Sequence, residues 1–286
     1  MSIVPDTGSG PPVRAVRRRT GRGERALDCW LAGPLDATAP PVVAVHGIAR
    51  GAREQAALLA ARADARGRLV VAPRFGERRW PRYQQAVRGG RADLALLALM
   101  NELRLTGLWR TPTVDLAGFS GGAQFAHRFA MLYPHLVGRL VVGSAGWYTH
   151  PDEAPFPYGL GPDTETTGWG ARMRAGLDRF LALPLRVVVG AEDRVSDPNT
   201  RRGPLLDAQQ GTHRLERAHR WARALREAAG RRGIAADVSV EVLAGCGHDF
   251  ADCVVTGGLD RIVLDEDRAR AVADARRGCG ACRSAA

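Results

Sequence analysis

The stretch Val114-Asp115-Leu116-Ala117-Gly118-Phe119-Ser120-Gly121-Gly122-Ala123-Gln124-Phe125-Ala126-His127 decides how the rest of the chain is read. Its first part is an apolar run of strand length, and its second part suits a helix. Between them, Gly118-Phe119-Ser120-Gly121-Gly122 has the Gly-x-Ser-x-Gly form of a sharp strand-to-helix turn. A serine in such a turn stands clear of the sheet on a strained backbone, with its hydroxyl exposed. The amide of the next residue, Gly121, lies at the helix start and is free to donate to a developing oxyanion. Gly118 and Gly122 are expected where neighbouring backbones come too close for a side chain. Gly-rich turns are common in α/β proteins, so the weight of this one depends on its flanks.

Upstream, residues 42–45 and 69–73 are continuous apolar runs, the mark of parallel strands buried on both faces. Residues 53–66 and 92–105 read as helices, the second with Leu96, Leu99, Met100 and Leu103 on one face. Residues 13–19 and 25–31, joined by Thr20-Gly21-Arg22-Gly23, read as an antiparallel hairpin at the sheet edge. Downstream, the helix after Ser120 runs to about residue 133, and residues 140–143, 185–189 and 238–242 are further strands. An amphipathic helix over 214–230 precedes the last of them. This alternation predicts an α/β fold, a mostly parallel doubly wound sheet of about eight strands. Residues 146–183 break the rhythm with Trp147, Tyr148, Phe156, Tyr158 and Trp169 among prolines and glycines, and read as a short lid or pocket wall after the sixth strand. The expected domain is 13–264, after a disordered lead-in over 1–12 and before a charged tail over 265–286.

Composition narrows the function classes. A chain of 286 residues with 45% hydrophobic content can bury a substantial core without staples. No apolar stretch reaches the roughly 18 residues that a membrane span needs, so no membrane partner is expected. The net charge of +11 suggests nucleic acid, but all 41 basic residues are arginine and, apart from Arg17-Arg18-Arg19, they are dispersed. That is a bias of composition, and no nucleic-acid partner is expected. Cys29, Cys246, Cys253, Cys279 and Cys282 are an odd set in a long chain, which suits a reducing compartment better than a disulfide framework. No apolar signal segment follows the first basic residues, so a cytoplasmic location is expected. Cys279-Gly280-Ala281-Cys282 has metal-site spacing but no second pair, and neither a metal nor an organic cofactor is expected.

Three features fall at the carboxyl ends of predicted strands, where open α/β sheets place their ligands. Ser120 tops one strand; a second runs into Gly190-Ala191-Glu192-Asp193, and a third into Gly245-Cys246-Gly247-His248. A serine hydroxyl is too weakly acidic to attack at neutral pH, so an imidazole must take its proton and return it to the leaving group. His248 is the candidate base. The imidazole needs a carboxylate on its other nitrogen, for which Asp193 is preferred over Asp197 and Glu192. A second oxyanion amide is expected from Ile48, directly after His46-Gly47 at another strand end.

Some side chains keep two readings. His46 reads as a structural histidine beneath the oxyanion loop, and His127 as core or satisfied surface. Arg50 either grips an acidic substrate or pairs at the surface. Trp147 and Tyr148, with Tyr83, either line the substrate pocket or pack the inserted segment onto the sheet, and Phe119 is a further candidate for substrate contact. Cys246 and Cys253 read as buried small hydrophobes.

With the order serine, acid, histidine in place, the chain from about residue 42 to 250 resembles an α/β-hydrolase of the serine esterase type. Its flavour is similar to polyhydroxyalkanoate-depolymerase-like and feruloyl-esterase-like hydrolases. The oxyanion loop reads His-Gly-Ile-Ala, where some lipases and esterases carry His-Gly-Gly-Gly. The resemblance implies cleavage of a carboxylic ester, small or oligomeric, through an acyl-serine intermediate. A peptidase, thioesterase or acyltransferase on the same residues, or a non-catalytic binding protein on the same fold, are the other readings.

Overall fold

A computed structural model of the chain describes residues 16–21, 23–88, 90–162, 167–198 and 200–265. The lead-in over 1–12 and the Cys279/Cys282 pair lie outside them. Eight strands form one sheet: β1 (Arg17–Arg19), β2 (Asp28–Ala32), β3 (Val42–Val45), β4 (Val70–Arg74), β5 (Val114–Phe119), β6 (Val137–Gly143), β7 (Leu185–Gly190) and β8 (Val238–Leu243). Their spatial order is β1-β2-β4-β3-β5-β6-β7-β8. β2 pairs antiparallel with β1 and β4, and every pairing from β4 to β8 is parallel.

The helices are α1 (Ala52–Ala65), α2 (Ala92–Leu105), α3 (Gly121–Leu132), α4 (Trp169–Ala175), α5 (Leu177–Leu181), α6 (Pro204–Gln210), α7 (Arg214–Gly230), α8 (Phe250–Val255) and α9 (Leu259–Leu264). They cover both faces of the sheet, which explains why β3 is apolar at every position. In β3, Val43 and Val45 pack into the core formed with α2, α3 and α7, whereas Val42 and Ala44 pack into the core formed with α1, α8 and α9. A polar side chain on either side of β3 would be buried.

The amino end of the sheet carries one buried charged group. Asp115, at the start of β5, accepts from Arg68 Nη2 at 2.9 Å and faces Arg139 Nε at 3.5 Å. Arg139 also donates to the carbonyls of Ile262 and Val263, at 2.8 and 2.5 Å, and so ties α9 to β6.

The expected elements appear with small shifts. β2 is shorter than the expected strand over 25–31, the expected strand over 13–19 begins outside the described residues, and β6 starts three residues before the expected 140, at Val137. The short helices α6, α8 and α9 are additions to the sequence-based reading. The insertion between β6 and β7 holds α4 and α5, and residues 141–151 are buried throughout. Among the described residues no helix is long and apolar enough to cross a membrane.

Candidate active site

β5 ends at Phe119 and α3 begins at Gly121, so a single residue makes the turn between them. Ser120 sits at φ 53° and ψ −114°, a conformation that costs a non-glycine residue about 1–3 kcal/mol. Its own N–H, which donates to the Gly143 carbonyl at 2.8 Å, helps to hold it there. The two outer glycines are steric requirements. A Cβ on Gly118 would lie 2.2 Å from the Gly122 carbonyl oxygen, and a Cβ on Gly122 would lie 2.0 Å from that of Val45.

The loops after β7 and β8 bring Asp193 and His248 to this turn. His248 Nδ1 lies 2.8 Å from Asp193 Oδ2, and Nε2 lies 3.0 Å from Ser120 Oγ. A carboxylate only accepts, so Nδ1 carries the proton and Nε2 is free to accept from the Ser120 hydroxyl. Three residues separated by 73 and 55 positions thus lie in one hydrogen-bonded line. Asp193 is 2% exposed. Asp197, the alternative acid, faces Arg214, and Glu192 is exposed. Phe119 stacks on the His248 ring at 5.4 Å, with Phe250 edge-on to Phe119 at 5.5 Å.

The loop after β3 supplies a second set of donors. Phe75 N–H donates to His46 Nε2 at 3.0 Å, so the His46 proton sits on Nδ1, which donates to the Gly47 carbonyl at 2.8 Å. Arg50 N–H donates to the same carbonyl at 3.0 Å. In a trans peptide the carbonyl and the following N–H point in opposite directions, so holding Gly47 C=O aims Ile48 N–H the other way. A Cβ placed on Gly121 would lie 3.4 Å from Ile48 N, so the Ile48 amide lies close to the residue that follows Ser120. Neither amide donates to an acceptor among the described residues. Burial pushes the His46 imidazole down to about 4, so it stays neutral in this arrangement. This matches the structural reading of His46. His127 is also buried: it donates from Nδ1 to Ala123 O at 2.8 Å and accepts Thr149 N–H on Nε2 at 3.0 Å.

A cleft of about 240 Å³ opens beside Ser120 and His248, lined by Ile48, Phe119, Phe250 and Ala251 on apolar sides and by Glu54, Asp197, Arg214 and Asp249 among its charged groups. A larger groove of about 500 Å³ runs between Leu27, Leu99 and Leu105. Its lining holds no serine, cysteine or histidine.

Several expected contacts lie elsewhere. Trp147 and Tyr148 do not line the cleft beside Ser120: Tyr148 is fully buried, stacked on Trp221 at 4.5 Å, and Trp147 lies over the Arg128 guanidinium at 4.0 Å. Their aromatic surface is used in packing the insertion after β6. Tyr83 is buried under the loop after β3, where its hydroxyl donates to the His46 carbonyl at 2.6 Å. Arg50 is not part of the cleft lining and pairs with no acid among the described residues; it donates to the carbonyls of Phe75, Trp80 and Pro81 and lies over the Tyr83 ring. Cys246 and Cys253 are buried free thiols, and burial pushes that of Cys253 up to about 12. Among the described residues no group of three or more His, Cys, Asp or Glu is placed to hold a metal ion.

Sequence reasoning missed Arg214. It opens α7, lines the cleft, and touches both Asp193 and Asp197. The only signal was the start of an amphipathic helix, which says nothing about a contact 21 residues back.

This strand order, with a serine at the β5–α3 turn, is the α/β-hydrolase fold. Among solved structures, the chain is similar to a poly(aspartic acid) hydrolase from Sphingomonas sp. KT-1, with 22% identity and a TM-score of 0.74 over 87% of this chain and 98% of that one. It is similar also to a poly(3-hydroxybutyrate) depolymerase from Bordetella parapertussis, with 26% identity and a TM-score of 0.72 over 89% and 93% of the two chains. An S-formylglutathione hydrolase from Staphylococcus aureus matches at 13% identity and a TM-score of 0.54, over 87% and 94%. No protein-family model matches the chain, and no curated protein matches its sequence.

Proposed function

We propose that the chain is a serine hydrolase that cleaves a carboxylic ester, small or oligomeric, through an acyl-serine intermediate. The observation that carries this reading is the unbroken line Ser120 Oγ, His248 Nε2, His248 Nδ1, Asp193 Oδ2, at 3.0 and 2.8 Å. Ser120 Oγ attacks the ester carbonyl carbon while its proton passes to His248 Nε2, and the imidazolium is stabilised by Asp193. The carbonyl oxygen becomes an oxyanion, to which the Ile48 and Gly121 N–H groups donate. Collapse breaks the carbon–oxygen bond to the alcohol, which leaves with the proton from His248. Water then repeats the sequence on the acyl-serine and releases the acid.

The solved neighbours are hydrolases; the 26% identical depolymerase is named for a polyester, which supports the ester reading, and the 22% identical poly(aspartic acid) hydrolase for a polyamide, which keeps the amide in the test below. The apolar wall of Ile48, Phe119 and Phe250 suits an aliphatic acyl group. The buried free thiols Cys29, Cys246 and Cys253 support a reducing, cytoplasmic setting.

The test is turnover of matched p-nitrophenyl ester, anilide and thioester substrates by the wild-type chain and by Ser120→Ala. Faster hydrolysis of the ester, lost in the variant, supports the reading. A preference for anilide or thioester moves the assignment to a peptidase or thioesterase, transfer to an added alcohol moves it to an acyltransferase, and no turnover of any of them leaves a binding protein.

A further inference from the structure

Arg214, the first residue of α7, meets the reactive line from behind. Its side chain is 2% exposed, and its two terminal nitrogens serve two carboxylates: Nη1 donates to Asp193 Oδ1 at 3.3 Å and Nη2 to Asp197 Oδ2 at 2.8 Å. Asp193 thus holds the imidazole with one oxygen and faces the guanidinium with the other. The third nitrogen, Nε, has no hydrogen-bond partner among the described residues, and both Arg214 and Asp197 reach the lining of the cleft.

The charges have opposing effects. A guanidinium on Asp193 fixes that carboxylate but weakens its attraction for a positive imidazole, because a buried positive charge acts on the imidazolium as well. A second carboxylate that shares the guanidinium offsets this. We propose that Arg214 is a positioning residue that fixes Asp193 and sets how strongly it stabilises the His248 imidazolium, with Asp197 as the counter-charge that keeps that stabilisation high. Its consequence for turnover rests on the ester-hydrolase reading; its consequence for the imidazole rests on the geometry alone.

Asp197 also accepts from Thr200 Oγ1 at 3.2 Å on its other oxygen. Asp249, before α8, caps that helix by accepting Asp252 N–H at 2.9 Å. Arg217 on α7 pairs with Asp207 on α6 at 2.9 Å. Burial raises the Tyr148 hydroxyl and the Cys253 thiol, which keeps both neutral near pH 7. His213 accepts from Glu216 N–H at the α7 start, and Glu192 and Arg194, on the Asp193 loop, are exposed. Asp197 is the partly exposed member, with 36% of its side chain accessible, so it can be changed with little disturbance of the core.

The experiment is a pH titration of the His248 ring by nitrogen-15 NMR on the full chain, with the signal assigned by its loss in His248→Gln. Asp197→Asn is expected to move the His248 midpoint to lower pH by about 0.5 unit or more, since one charge is removed at short range. Arg214→Gln is expected to move it to higher pH, and the double variant to return it toward wild type. The acid limb of ester kcat/KM is expected to move in the same directions. A His248 midpoint that stays in place or rises in Asp197→Asn overturns the inference, and that variant decides the matter if Arg214→Gln does not fold. Because the titration needs no turnover, an inactive wild-type chain counts against the hydrolase reading and leaves this result to be judged separately.

Discussion

The main-chain N–H of Phe75 donates to Nε2 of His46 across 3.0 Å, and that bond decides which ring nitrogen carries the proton. With the proton on Nδ1, His46 holds the Gly47 carbonyl and, through the plane of that peptide, the direction of the Ile48 amide. Loss of an oxyanion donor costs about 100- to 1,000-fold in kcat, so weakening one by releasing its peptide should cost less, about 10- to 100-fold. His46→Ala is expected to lose that much kcat with a smaller change in KM, and His46→Asn, which keeps a donor near Gly47, to recover part of it. Steady-state kinetics on a p-nitrophenyl ester checks this.

The same ring carries a pH dependence of stability. Burial lowers the His46 imidazole to about 4 and that of His150 to about 4, and it lowers His127 well below its ordinary value. In the unfolded chain these rings take up protons below about pH 6.5, while in the folded chain they do not. The unfolded state therefore binds more protons between about 6.5 and 4, and stability falls as pH drops through that window. Each ring contributes up to about 1.4 kcal/mol per pH unit. Urea unfolding at pH 7.5, 6 and 5 should show the loss, and His46→Gln should make the slope shallower.

Gly122→Ala places a methyl group 2.0 Å from Val45 O and 2.6 Å from His46 O, and both obstacles are backbone. No rotamer relieves the clash, so the strand and helix must separate. Destabilisation by about 3 kcal/mol or more is expected, read as a lower urea midpoint or loss of soluble protein.

The cleft wall makes a contrasting prediction about specificity. Phe250 lines the cleft, whereas Trp147 packs over Arg128. Phe250→Ala is expected to raise KM for p-nitrophenyl butyrate about tenfold, the loss of roughly 1.4 kcal/mol of apolar contact, with little change for the acetate. Trp147→Phe is expected to leave the acyl-length preference unchanged and to act on stability. Profiling both variants across acetate, butyrate and octanoate separates the two roles.

Much of this was readable along the chain because local signals and tertiary demands agree. Val42–Val45 is apolar at every position because both its faces are covered, and that pattern names a central parallel strand. The glycines around Ser120 mark contacts that only a strand-to-helix turn requires, and the acid and the histidine follow at the ends of β7 and β8. The rest depended on distance in space. Trp147 and Tyr148, after a strand end, suit either a pocket wall or packing of the insertion, and the partner that takes the face of Tyr148, Trp221, lies more than 70 residues later. Arg50 stands beside the oxyanion loop in sequence, but its left-handed backbone, with φ 62°, accompanies a guanidinium turned toward the carbonyls of Phe75, Trp80 and Pro81. Neither the helical period around Arg214 nor its charge announces the contact with Asp193.

The nucleophile can be tested without knowing the substrate. The wild-type chain is treated with a fluorophosphonate, and its intact mass and peptide map are recorded beside those of Ser120→Ala. One phosphonyl adduct on the peptide carrying Ser120, absent from the variant and strongly slowed in His248→Gln, is the expected result. An adduct that persists in Ser120→Ala, or a wild-type chain that takes up no phosphonate at all, would contradict the assignment of Ser120 as the attacking group.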